Sequence, residues 1–225
     1  IVGEVGVGYS ALYEREYKQL RERASLANDV FAEHTIQVVN QVDILVRTAR
    51  GHFEQTRSAE ITERFLMHLD FPRHTIENIY LIDADGLILT PWAERAKGRT
   101  AAQRDYFLFH KNNPADELFI GPVLTGQVTG KKQFRLSRRI DRADGTFAGI
   151  VLAPVEPKAF SSYYRQLLET KESIVALVGI DDRKIRARIP DADPGQWDAQ
   201  LESPLWDLLK KSPAGQYRNT SSIDQ

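Results

Sequence analysis

Residues 104–107 read Arg-Asp-Tyr-Phe, His110 follows six positions after the arginine, and residues 133–139 read Gln-Phe-Arg-Leu-Ser-Arg-Arg. These side chains offer planar cations, hydroxyls, an amide and an imidazole, groups that can hold a small oxyanion without transforming it. A guanidinium presents parallel N–H donors matched to a carboxylate, which makes Arg104, Arg135 and Arg139 candidates to hold one. In an extended segment alternate side chains share a face. Gln133, Arg135, Ser137 and Arg139 therefore point one way, and Phe134 and Leu136 the other. Three arginines and a serine would then converge on one cavity, with Tyr80, Tyr106, Phe107 and His110 as further candidate ligand-binding residues. The competing reading has Arg135 and Arg139 reaching solvent or pairing with Asp141 and Asp144.

Other chemistries find less support. Five histidines (34, 52, 68, 74 and 110) occur without a His-x-x-x-His pair or a carboxylate cluster, so neither a metal nor another cofactor is expected. Gly6-Val-Gly8 lacks the strand–turn–helix setting of a phosphate cradle. Ser137 has no Gly-x-Ser-x-Gly elbow around it. Asp83, Asp85, Asp181 and Asp182 sit where hairpin turns favour aspartate for backbone reasons. The chain is therefore not read as an enzyme. Thirty basic and thirty-one acidic residues leave a net charge of −1, and the doublets Lys131-Lys132 and Arg138-Arg139 lack aromatic stacking platforms, so no nucleic-acid partner is expected. Cysteine is absent, which excludes disulfides and thiolate chemistry.

The elements that must position these groups begin with one very long helix. From about Tyr9 to Phe53 no proline occurs, and no glycine before Gly51. Ala27, Val30, Phe31, His34, Val38, Val42, Leu45, Val46, Ala49 and Phe53 recur at helical spacing. About 44 residues at 1.5 Å each would span about 65 Å, more than one ordinary domain covers. Its charged first half carries a thin stripe of Tyr13, Tyr17, Leu20 and Ala24, which reads as a solvated helix or as a dimer-forming, signal-carrying stalk. A second helix is expected over 58–69, with Phe65, Leu66 and Leu69 inward, ending before Pro72. Strand 76–83, the turn Asp85-Gly86 and a return strand 87–92 form a hairpin. Helix and loop follow over 93–113, then strands near 117–124, 131–140 and 146–155.

The expected architecture is α+β: a five-stranded antiparallel sheet with helices on its faces, behind the long N-terminal helix. Phe134 and Leu136 should pack on that helix. From Pro157 an amphipathic helix runs through Phe160, Tyr163, Tyr164, Leu167 and Leu168. The hairpin 174–189 that follows echoes residues 79–89 and suggests a second, smaller module. Residues 215–225 are too few for three more strands, so that module reads as cut short. The expected division is 1–53 long helix, 54–156 first module, and 157–225 connecting helix and second module. No run of ~18 apolar residues occurs. Residues 1–10 read as the trimmed edge of a membrane helix or a cloning remainder, and the chain as a soluble piece excised from a longer protein.

A long N-terminal helix, a hairpin/helix/meander module and a second, smaller module resemble the double Cache sensor domain, a PAS-like architecture of bacterial chemoreceptors, histidine kinases and diguanylate cyclases. The string Arg104-Asp-Tyr-Phe, His110, Ile120-Gly-Pro, Thr129-Gly, Ser137-Arg-Arg-Ile, Asp144-Gly and Phe147-Ala-Gly149 carries the resemblance. It implies the periplasmic, ligand-sensing part of an inner-membrane receptor. Membrane helices would anchor it, a cytoplasmic output domain would follow, and a homodimer would form through the long helix. The family's amino-acid-binding members use an Arg-x-aromatic-aromatic motif to hold the ligand carboxylate, which Arg104-Asp-Tyr-Phe matches. They place an aspartate for the amine late in the last strand, where this chain has Pro154. The resemblance therefore implies a small carboxylate or other anion rather than a standard amino acid. The alternative is a periplasmic interaction or dimerisation module with no small-molecule ligand.

Overall fold

The computed structural model describes residues 2–69, 75–76, 78–90, 99–126, 129–167, 174–191, 194–197, 199–212 and 215, with backbone alone for 2–13, 166 and 167. The expected break at Pro72, the end of the return strand at Trp92, the stretch 93–98, Leu168 and the tail 216–225 lie outside the described residues.

Helix α1 runs Val2–Thr56, fifty-five residues. Its apolar stripe is the one that the spacing predicts over the second half. Phe31, Val38, Val42, Leu45, Val46, Ala49 and Phe53 are buried, and Ala27 packs against them. Val30 departs from the expectation and stays 36% exposed. It follows Ala27 by three positions and precedes Phe31 by one, so it projects past the edge of the stripe. Helix α2 (Ala59–Met67) starts where Ser58 accepts a hydrogen bond from the Ile61 amide at 3.2 Å, an N-cap that satisfies an otherwise orphaned donor. Leu66 is buried, and Phe65 lies flat on His52 with ring centroids 4.2 Å apart.

The sheet is antiparallel. It is built from β1 (Tyr80–Asp83), β2 (Phe119–Ile120), β3 (Leu124–Thr125), β4 (Lys132–Asp141) and β5 (Phe147–Val155), with helix α3 (Asp105–Asn112) between β1 and β2. The order is β1-β5-β4-β2, and β3 also pairs with β4. The strand count is as expected but the membership differs. Among the described residues the return arm after Gly86 forms isolated bridges, Ile82–Ile88 and Leu87–Thr100, rather than a strand. The strand expected over 117–124 divides into β2 and β3 at Gly121-Pro122, since proline brings no amide donor to a ladder. Gly149 sits in β5 at φ 139°, and a Cβ there would overlap the Ile82 carbonyl oxygen on β1. The edge of the sheet closes this tightly only around glycine.

One face of the sheet packs on α1. Phe134, Leu136, Ile140, Val151, Ala153 and Val155 join the α1 stripe in a single core. The opposite face carries a smaller cluster in which Tyr80, Ile82, Ile150 and Leu152 meet Ala101, Tyr106 and Phe107. Helix α4 (Lys158–Leu167) leads from β5 to a two-stranded sheet of β6 (Val175–Val178) and β7 (Ile185–Ile189). Phe160 and Tyr164 of α4, with Ile185, Ala187 and Ile189 of β7, extend the main core into this second region. The short helix α5 (Leu205–Lys211) buries Trp206. Among the described residues no helix is long and apolar enough to cross a membrane.

A candidate anion site between the sheet and α3

A cavity of about 60 Å³ opens where the ends of β1, β4 and β5 meet the segment leading into α3. Tyr80, Ile82, Leu152, Pro154, Gln133 and Arg135 come from the sheet, and Ile88, Thr100, Ala101, Arg104 and Tyr106 from the covering layer, with Gly126 and Thr129 at the β3–β4 turn. Strand alternation delivers Gln133 and Arg135 to this side. The ladder sets Arg135 directly across from Pro154. Arg104 occupies the extended position just before α3, with φ −82° and ψ 146°, and its side chain makes no capping bond there.

Arg139 aside, five of the eight residues singled out in the sequence line this cavity: Tyr80, Arg104, Tyr106, Gln133 and Arg135. The other three lie together behind its wall. Phe107 is fully buried with its ring edge-on to Phe147 at 5.4 Å. His110 and Ser137 are both fully buried and share a hydrogen bond at 3.0 Å. Burial is the main cause that pulls the His110 imidazole down to about 4, with Arg139 and Arg138 acting in the same direction and the Ser137 hydrogen bond opposing them. His110 is therefore neutral at physiological pH.

Arg139 departs from the expected convergence. It pairs with Asp141 at 2.6 Å, donates to the His110 carbonyl oxygen at 2.6 Å, and lies 4.9 Å over the Phe147 ring. At roughly 3.4 Å per residue, four positions place Arg139 about 13 Å along the strand from Arg135. One small cavity cannot reach both. The alternative pairing with Asp141 is correct for Arg139 and does not hold for Arg135.

Arg135 is 7% exposed, yet no carboxylate among the described residues lies within ion-pair distance of it. Among the described residues its guanidinium donates to the Gln133 carbonyl oxygen at 3.3 Å, and its guanidinium carbon stands 6.0 Å from the Tyr106 ring centre. Burial lowers its affinity for a proton, the Tyr106 side chain opposes this, and neighbouring Arg104 adds to the lowering. Burial likewise pushes the Tyr106 phenol up, so its hydroxyl stays protonated, while Arg135 and Arg104 pull the other way.

The buried guanidiniums of Arg138 and Arg186 are each paired with a carboxylate. Arg138 pairs with Asp43 of α1 and, at 2.9 Å, with Asp116. Arg186 of β7 pairs with Asp182 at 2.7 Å. An unpaired buried cation with open donors is strongly disfavoured unless something supplies a counter-charge. The arrangement can accept an anion from a small molecule, with the Tyr106 hydroxyl, Gln133 and Thr129 as neutral partners.

Sequence reasoning did not single out Thr100, Ala101, Gly126, Thr129 or the apolar lining. Gly126 carried a readable signal as a turn glycine. A Cβ there would come within 2.6 Å of the Thr129 hydroxyl and 2.8 Å of the Gln133 amide oxygen, so a larger residue would displace these two side chains from the cavity rim.

No protein-family model and no curated protein matches the chain. Solved structures do. The extracellular domain of rpHK1S-Z16, a protein assigned as a histidine kinase, aligns with TM-score 0.73 at 22% identity, over 89% of this chain and 82% of that one. The fold is that of a Cache-type sensor domain. The ligand-binding domain of the Pseudomonas aeruginosa PAO1 amino acid chemoreceptor PctB, in complex with L-Gln, aligns with TM-score 0.62 at 14% identity, over 77% of this chain and 69% of that one. The sensor domain of the V. cholerae histidine kinase DctB aligns with TM-score 0.54 at 16% identity, over 87% and 77%. The long helix, the antiparallel sheet and the helices on its faces together make up this sensor fold.

Proposed function

We propose that this chain is the extracytoplasmic, periplasmic small-molecule sensing region of a bacterial membrane receptor, and that it holds a small anionic, carboxylate-like ligand between Arg135 and Arg104. The observation that carries the reading is Arg135, a buried guanidinium facing a cavity without a carboxylate of its own. The sensor fold supports the rest. Residues 54–156 form the membrane-distal, ligand-binding module, and 157–225 connect it to the membrane-proximal side. The domain itself catalyses nothing and passes its signal to an output domain on the far side of the membrane.

Binding would act by favouring one of two arrangements of the domain. Pro154 lines the cavity, and β5 runs from it into α4, whose Tyr164 hydroxyl hydrogen-bonds Thr35 of α1. This contact gives the site a short physical route to the long helix. Tyr17 and Leu20, 37% and 62% exposed on the charged half of α1, support a homodimer through that helix. Leu20→Glu is then expected to shift the chain toward monomer in light scattering, and an unchanged mass would remove the helix from the interface.

Thermal unfolding with a panel of small carboxylates tests the ligand reading. A carboxylate at about one hundred times its Kd is expected to raise Tm by roughly 5–10 °C. Arg135→Met is expected to abolish the rise. A rise that survives this change, or none with any carboxylate, overturns the proposal.

A further inference from the structure

We infer that the ligand is a short monocarboxylate of about two to four carbons that carries no ammonium group. The inference rests on the carboxylate reading above and narrows it in size and charge. One water takes roughly 30 Å³ in the liquid, so a cavity of about 60 Å³ can enclose only a few heavy atoms. Acetate, propionate, lactate and pyruvate leave little of themselves outside it, whereas succinate and glutamine extend well beyond.

Charge narrows the class further. One guanidinium, Arg135, is buried without a carboxylate partner among the described residues, whereas Arg104 is half-exposed. A single negative charge therefore completes the site. Next to it Ile82, Leu152 and Pro154 present apolar surface suited to a hydrocarbon tail. Among the described residues that line the cavity there is no aspartate or glutamate. Among the described lining residues an ammonium group on the ligand would meet two guanidiniums and only neutral acceptors, with the Asp105 carboxylate acting on Arg135 from outside the lining, and such like-charge placement disfavours a cationic group.

Pro154 determines this specificity. It stands directly opposite Arg135 in the β4–β5 ladder, where paired side chains lie about 5 Å apart. An acidic residue there would either receive a ligand ammonium or neutralise Arg135 from within. Proline does neither, and so leaves the whole charge of Arg135 to the incoming carboxylate.

Isothermal titration with pyruvate, propionate, L-alanine, propionamide and succinate tests the inference. Pyruvate or propionate is expected to bind. L-Alanine, which differs from pyruvate at the 2-position, is expected to bind roughly 100-fold more weakly. Succinate should be at least about tenfold weaker and propionamide undetectable, and Arg135→Met should remove binding. Pro154→Asp provides a second variant in case Arg135→Met does not fold, and should weaken pyruvate at least about tenfold by pairing with Arg135.

L-Alanine within tenfold of pyruvate, or succinate as the tightest ligand, with binding still dependent on Arg135, overturns the size and charge assignment and leaves the anion site standing. Binding indifferent to both substitutions, or no binding by any carboxylate, overturns the underlying reading as well.

Discussion

Arg135 and Arg138 lie three residues apart on β4, are 7% and 4% exposed, and project from opposite faces of the sheet. Arg138 turns toward α1, where Asp43 and Asp116 take up its charge and Arg50 shares Asp116 at 2.7 Å. Arg135 turns toward the cavity and, among the described residues, has no carboxylate within ion-pair distance. Burial alone is thus a poor guide to role. The distinction lies in whether the protein supplies the counter-charge, because a partnered cation fixes the fold and an unpartnered one awaits a ligand.

This contrast is sharpest in stability. Arg138→Ala removes the buried partner of Asp43 and leaves it only the half-exposed Arg47, and is expected to cost about 3 kcal/mol in denaturant unfolding. A loss below about 1 kcal/mol would mean that the pair is structurally idle.

A smaller effect, about 2–3 kcal/mol, is expected from His110 in the wall behind the cavity. In the unfolded chain this imidazole gains its proton near 6.5, whereas burial holds it off until about 4 in the folded protein. The unfolded state therefore binds more protons within that window. The contribution is complete above pH 6.5 and is lost as pH falls toward 4. His110→Gln should flatten stability over that range, and an unchanged slope would show that His110 titrates normally.

Asp116 acts at lower pH. Its hydrogen bond to Arg50 is the largest cause that lowers it from 3.8 to about 2, with Arg138 contributing further. Its stabilising effect is thus present above pH 3.8 and is lost as pH falls from about 4 to about 2. Asp116→Asn should remove that acid-side slope.

The smallest change is expected from Arg135→Met without ligand. Removing an uncompensated buried charge should leave stability unchanged or raise it by up to about 2 kcal/mol. A loss comparable with that of Arg138→Ala would erase the distinction between the two arginines.

What the sequence conveys about these two faces depends on whether local rules decide the outcome. The α1 stripe and the alternation of β4 are periodic, so Phe134 and Leu136 on the helix side and Arg135 on the other side were legible. The core position of β5 and the helical face of α4 were legible for the same reason. The partner of each arginine was not. Asp43 lies 95 residues from Arg138, and no local pattern connects them. Arg139 and Arg135 share a face and differ only in how far along the strand the cavity reaches. His110 and Ser137 were picked for their chemistry, but α3 passes directly over that part of β4 and seals them together. Pro154 was noticeable as a departure from a motif, yet its place across from Arg135 depends on a register that the whole β4–β5 pairing sets.

A crystal structure of the protein grown with pyruvate tests the central claim most directly. The account predicts a carboxylate gripped by the Arg135 guanidinium, with N–O distances of about 2.7–2.9 Å, beside Tyr106 and with its tail against Leu152 and Pro154. A ligand bound elsewhere, or a protein carboxylate found paired with Arg135, would contradict it.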